Sequence, residues 1–246
     1  MKLVANVIRA SLGGARSLRA LSTAMPKTDN VKPTEKESTD LHKIETNYKS
    51  PFSLFKDWYK DHEIPDNQIA SKALTLSTAN KQGQVSSRTL ILRRLDEDGF
   101  VIMTDNRSRK AKDLKENPYA SMVYLWVTMQ DSQILARQVR VEGDVVQLPT
   151  DNMAEIFEIE PLFCKIRAHI CHQGKTVDWK QMKDHHDKLH QEVENNNLQL
   201  EKPEHVVAYK IFPYTMEFYE SLGQTIADRL LYVKNGNEWE IKRLAA

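Results

Sequence analysis

From residue 73 onward the sequence is cut into runs about as long as single β-strands. Ala73 to Thr78, Ser87 to Leu92, Phe100 to Thr104, Ser121 to Trp126, Arg137 to Glu142 and Val206 to Phe212 have strand composition, and Met216 to Tyr219 and Leu230 to Val233 follow. Breakers separate them: Lys81-Gln82-Gly83, Asp98-Gly99, Asn117-Pro118 and Asn235-Gly236. Helical periodicity is confined to other places. Phe52, Phe55, Trp58 and Tyr59 recur at spacings of three and four, so they share one helix face, and Pro51 suits a first helical turn. An aromatic stripe at that spacing reads as core. Thr150 to Ile159, with Thr150 as cap, and the charged run Val177 to Asn195 are the other helical segments. Strands early, helices between and strands late predict a β-rich α+β domain, an antiparallel sheet or barrel with peripheral helices outside it.

The chain has 246 residues, 40% hydrophobic and 28% charged, which excludes a wholly disordered protein. Its apolar stretches are only a few residues long, against the roughly 20 of a spanning helix, so no membrane segment is expected. Charge is unevenly placed. Residues 1–28 contain Lys2, Arg9, Arg16, Arg19 and Lys27 and no acid, with Leu, Val, Ile and Ala between them, the composition of a mitochondrial transit peptide. Mitochondrial localisation is the expectation and cytoplasmic the alternative. Residues 29–50 are polar and read as a disordered linker, leaving 51–246 as the folded domain. Without the five N-terminal cations, 30 Lys+Arg face 34 Asp+Glu, so nothing global recommends a nucleic-acid partner.

The densest local charge runs from Arg88 to Lys112, with Arg93, Arg94, Arg107, Arg109 and Lys110 between and Asp96, Glu97, Asp98 and Asp105 as partial offset. A helix opening at Ser108 would add backbone N–H groups to planar guanidinium forks, a combination suited to a phosphate. There is no G-x-G-x-x-G or G-x4-G-K-[ST], so side chains must hold that phosphate. G-x-S-x-G and H-E-x-x-H are missing too. Cys164, His169, Cys171 and His172 lack zinc-site spacing, so no metal is expected and both thiols read as reduced.

The run RTLILRR at 88–94, DEDGFVIMTDNRSRKAKDLKENPYASMVYLW at 96–126, RQVRVEGDVVQLP at 137–149 and the closing FPYTMEFYESLGQTIADRLLYVKNGNEWEIKRLAA resemble the pyridoxine (pyridoxamine) 5'-phosphate oxidase family. The opening helix PFSLFKDWY is similar as well, so the resemblance covers about 51–246. It implies an FMN-binding split β-barrel, a homodimer with FMN at the subunit interface, and oxidation of pyridoxine or pyridoxamine 5'-phosphate with oxygen as acceptor, giving pyridoxal 5'-phosphate and peroxide. Matching the family's motifs position by position implies FMN contacts at Arg88, Arg93, Met103, Thr104, Arg109, Lys110, Gln138, Gln173, Gly174, Tyr219 and Arg229, with Arg93 also touching substrate. Gly174 stands for the family's Ser, Tyr219 for Trp and Arg93 for Lys. Arg88 and Arg93 are five apart and face opposite sides of an ideal strand, so their convergence requires a bulge or a strand end.

Departures concentrate at the substrate. The Tyr, Arg and Ser that hold the substrate phosphate in the family correspond to Ile156, Glu160 and Cys164, and an Arg and a His that assist the chemistry correspond to Thr225 and Ala227. No catalytic residue is assigned on this ground. About six extra residues lie between Trp126 and Arg137. Three functions fit: the family's oxidase with rearranged contacts, a flavin-binding paralogue acting on another substrate, or a pseudoenzyme that binds FMN or a partner.

Overall fold

A computed structural model describes residues 40–63, 68–149, 153–196 and 198–246. The transit segment expected over 1–28 and the first part of the linker lie outside the described residues. The first helix, α1 (Pro51–Asp61), starts on Pro51, whose fixed φ and missing N–H suit a first turn. Its stripe turns inward as expected, with Phe52, Leu54, Phe55 and Trp58 buried. Phe55 is fully enclosed, its ring 5.0 Å from Phe100, 5.1 Å from Tyr124 and 5.7 Å from Trp126. These aromatics come from α1 and from the strands it covers, so the helix is fixed to the sheet by large interlocking rings.

Among the described residues there are nine strands. They are β1 (Ala73–Ala79), β2 (Val85–Ile91), β3 (Arg94–Leu95), β4 (Phe100–Asp105), β5 (Tyr119–Gln130), β6 (Gln133–Gln147), β7 (Val206–Leu222), β8 (Asp228–Asn235) and β9 (Glu238–Leu244). The remaining helices are α2 (Gln68–Lys72), α3 (Arg109–Glu116), α4 (Ala154–Glu158), α5 (Leu162–Ile170) and α6 (Trp179–Asn196). The sheet runs β2-β1-β5-β6-β7-β4-β3, antiparallel throughout, with β8 on β7 and β9 on β8. The path does not close on itself, so the barrel is split, and the β-rich α+β class with helices outside the sheet is as expected.

The two late runs ending at Phe212 and Tyr219 are one strand, β7, not two. Its first half pairs with β4, from Phe100↔Ile211 to Asp105↔Val206, and its second half with β8, from Thr215↔Val233 to Glu220↔Asp228. The change of neighbour occurs around Pro213, which has no N–H for a ladder. Across the strand, Pro213 faces Gly143 at a register shift in β6. A Cβ on Gly143 would come 2.4 Å from the Phe212 carbonyl oxygen. Gly143→Ala is therefore expected to cost about 1–3 kcal/mol, read as a lower urea midpoint with an unchanged slope.

The extra residues between Trp126 and Arg137 lengthen the β5–β6 hairpin. Its ladder continues to Gln130↔Gln133, and the turn residues Asp131 and Ser132 take φ of 49° and 66°, the left-handed conformation of a tight hairpin. Leu125, Val127, Met129 and Ile134 are exposed along this hairpin. The described part of the expected linker is not a solvated tether. Leu41 bridges Ile226, the Ile44 N–H donates to Asp228 Oδ2 at 2.7 Å, and Ile44 is 2% exposed. One apolar side chain in a polar run is enough to dock the segment when buried Asp228 supplies the acceptor. The helix expected over Thr150 to Ile159 is the shorter α4, Ala154–Glu158, and residues 150–152, with the expected cap Thr150, lie outside the described residues. Among the described residues, no helix is long and apolar enough to cross a membrane.

Candidate functional site

The cationic run from Arg88 to Lys112 is sorted by what each charge meets. Arg94 is bound to Asp96, Nε to Oδ1 at 2.6 Å, and Arg107 grips Asp105, Nη2 to Oδ2 at 2.6 Å. Burial would raise the Asp105 carboxyl, but hydrogen bonds from the Arg107 side chain and from the backbone N–H of Arg107 and Gln173 hold it at about 2. Arg107 also donates to the Cys171 carbonyl at 2.9 Å, so this pair ties the loop after α5 to the end of β4. Arg93 pairs with Glu160, Nε to Oε1 at 2.6 Å and Nη2 to Oε2 at 2.9 Å. These three guanidinium groups are already neutralised by carboxylates.

Lys110 is not. It lies in the first turn of α3, is 4% exposed, and donates to Thr104 Oγ1 at 2.9 Å and Gln173 Oε1 at 3.1 Å, both uncharged acceptors. Burial and the nearby Arg88 guanidinium push its pKa down to about 8. Ser108 caps the helix, its Oγ accepting from Ala111 N–H. Arg88 donates to the Leu76 carbonyl at 3.2 Å and to Thr78 Oγ1 at 2.9 Å, and Thr78 donates to Asp113 at 2.7 Å. Arg109 is the exposed member, 3.9 Å from Asp113. A buried ammonium with no carboxylate hydrogen-bonded to it, in the first turn of a helix and near the Arg88 guanidinium, is an anion site in waiting.

Lys110 opens onto a cavity of about 500 Å³, a volume typical of small-molecule sites. Arg93, Met103, Thr104, Gln173 and Gly174 line the same cavity. Arg93, two residues past the end of β2, reaches this cavity, whereas Arg88 does not line it, so the two arginines are not brought together there. A shallower polar cleft of about 780 Å³ shares Gln173 and Gly174 and adds Arg109. Gly174 takes φ +91°, a conformation that suits glycine. The residues of the extended β5–β6 hairpin line neither cavity.

Gln138, Tyr219 and Arg229 are elsewhere. They form one row across three strands, Gln138↔Tyr219 and Tyr219↔Arg229, with Leu125 opposite Gln138. Their chain neighbours Val139, Phe218 and Leu230 are core, so the row faces away from it. Arg229 is held by Glu217 Oε1, from Nε at 3.0 Å and Nη2 at 2.8 Å. The chain thus carries two separate groups of the expected cofactor residues.

The α5 helix escaped the sequence reading, and with it a wall of the cavity: Cys164, Arg167 and Ala168 recur at helical spacing along it, and Cys171 follows at its C-cap. Pro161 at the cap and the mixed apolar-basic run LFCKIRAHI were the available signal. His205, whose Nε2 meets the Ala168 carbonyl at 2.9 Å, was missed too, since nothing local marks it. Burial pushes the Cys164 thiol up, against the pull of Arg167 and aided by a hydrogen bond to Glu160, so it is an inert thiol rather than a nucleophile. Among the described residues no His, Cys, Asp and Glu group is placed to hold a metal.

Two family models match this chain, "Pyridoxamine 5'-phosphate oxidase" over residues 62–194 and "Pyridoxine 5'-phosphate oxidase C-terminal dimerisation region" over 207–246. The chain belongs to the pyridoxamine 5'-phosphate oxidase family. A family member, the pyridoxine/pyridoxamine 5'-phosphate oxidase of Paraburkholderia phymatum, is 30% identical over 212 residues, covering 85% of this chain and 93% of that one. The chloroplastic oxidase 1 of Arabidopsis thaliana is 32% identical over 222 residues, 84% of this chain and 40% of its own. Of solved structures, PhzG from Burkholderia lata in complex with tetrahydrophenazine-1-carboxylic acid superposes with a TM-score of 0.71 at 25% identity, covering 81% and 94% of the two chains. An FMN-binding protein of Nostoc punctiforme, related to the family, shares the fold at a TM-score of 0.62 and 16% identity.

Proposed function

We propose that this chain is an FMN-dependent oxidoreductase that works as a homodimer on a small substrate, with oxygen as electron acceptor. The observation that carries it is the Lys110 ammonium, buried, without a carboxylate and aimed into the cavity. Lys110 is the donor for the FMN phosphate, Arg109 in the adjoining cleft and the Arg88 guanidinium bound to Thr78 add positive charge nearby, and Thr104 and Gln173 orient the ammonium. Bound FMN would supply a two-electron acceptor for the substrate, with oxygen as the final acceptor.

The row Gln138, Tyr219 and Arg229 lines neither cavity of its own chain, which supports a second copy completing the flavin site. The exposed Leu125, Val127, Met129 and Ile134 beside that row support this, because a contiguous apolar face of this kind marks an interface. The match of residues 207–246 to a dimerisation region supports it as well.

Pyridoxine or pyridoxamine 5'-phosphate is the substrate to test first, since the relatives' names carry it. The paralogue reading rests on a different observation: Glu160 and Arg93 neutralise each other inside the cavity. The test is FMN-loaded protein, oxygen uptake and peroxide formation with the phosphate esters and with the unphosphorylated vitamers. Substrate-dependent peroxide with either set supports the oxidoreductase reading. Loaded protein whose flavin no alcohol or amine can bleach without oxygen would refute it in favour of a pseudoenzyme.

A further inference from the structure

We infer that Glu160 sets the substrate class, and that the Arg93–Glu160 end of the cavity receives an uncharged or amine-bearing group rather than a phosphate. The inference rests on the FMN reading above, which places the cofactor's phosphate at Lys110. The geometry is one of a neutralised cation beside a buried carboxylate. Arg93 uses Nε on Glu160 Oε1 at 2.6 Å and Nη2 on Oε2 at 2.9 Å, a two-pronged pair that neutralises the guanidinium and leaves only its outer N–H groups for another acceptor. Glu160 is buried at a fixed point of the backbone: its side chain is 4% exposed and paired with Arg93, its N–H donates to the Phe157 carbonyl at 3.1 Å, and Pro161 follows it. A phosphate arriving here would meet a fixed carboxylate in a poorly hydrated pocket, where like charges repel most strongly.

The surroundings fit a neutral ring. Leu90, Phe157, Val177 and Met182 give the cavity apolar wall, and Cys164 presents a protonated thiol beside Glu160. Arg167 and Lys175 also border the cavity, but both are exposed and act through screening solvent. A ligand amine can share the Glu160 carboxylate without breaking the pair, because a carboxylate accepts more hydrogen bonds than Arg93 supplies.

The test uses pyridoxamine and pyridoxamine 5'-phosphate as probes on the full chain, wild type and Glu160→Gln. Binding is read twice, by perturbation of the bound flavin's absorption and by the melting temperature of the apoprotein. The wild type is expected to bind pyridoxamine at least about tenfold more tightly than its phosphate ester. Glu160→Gln removes the carboxylate charge, leaves Arg93 unneutralised, and is expected to tighten the ester by about tenfold or more while leaving FMN affinity unchanged, a gain that misfolding cannot produce. Glu160→Ala should gain in the same direction. A wild type that prefers the ester, or variants that gain nothing for it, would overturn the inference. Failure of FMN itself to bind is read separately from the flavin signal and counts against the parent reading, since the apoprotein measurement still reports on Glu160.

Discussion

Lys110→Met is expected to weaken FMN binding by about 10- to 100-fold while leaving the fold intact, because one charge-assisted hydrogen bond in a partly dry site is worth about 1.5–3 kcal/mol. Methionine keeps the length and apolar stem of the side chain and removes only the charge. Flavin fluorescence quenching measures the change. The pH dependence gives a second signature. Folding lowers Lys110 from the ordinary lysine value of 10.5 to about 8, so in that window the unfolded chain holds a proton that the folded apoprotein has lost. Apoprotein stability relative to Lys110→Met should therefore rise as pH increases from about 8 towards 10.5. FMN affinity should move the opposite way, falling above about pH 8 in the wild type, with proton uptake on binding. A wild type and variant with parallel pH profiles would show that Lys110 does not meet the phosphate.

Phe55→Ala is expected to cost about 3–5 kcal/mol, the usual penalty for emptying a fully enclosed aromatic site. Phe55 is 0% exposed and touches Tyr59, Phe100, Tyr124 and Trp126, so its removal uncouples α1 from two strands at once. Urea unfolding followed by tryptophan fluorescence measures it. A loss below about 1 kcal/mol would mean that α1 is a peripheral strap rather than part of the core.

The strands of the sheet were readable because alternation and turn formers agree locally, as at Asp98-Gly99 before β4. β9 was missed although Asn235-Gly236 announces a hairpin, because Glu238–Leu244 is largely exposed and charged and lacks an apolar face. Pro213 made β7 look like two strands, since only tertiary pairing reveals that a proline can sit at a bulge opposite Gly143. At the site, the basic run and the Ser108 cap pointed to Lys110 and Arg109. What sequence could not distinguish is which cations are spent on carboxylates. Arg107 with Asp105 is two residues apart and guessable, whereas Arg93 with Glu160 spans 67 residues and depends on where α4 ends.

The central claim is that two copies of this chain hold FMN between them through the Lys110 cluster of one and the Gln138–Tyr219–Arg229 row of the other. The most direct measurement is titration of the purified apoprotein with FMN, reading flavin absorption and molecular mass together. Saturable binding at one FMN per chain in a particle of dimer mass is expected, with Lys110→Met and Arg229→Ala each weakening it. A monomer that binds FMN fully, or a dimer indifferent to FMN, would contradict it.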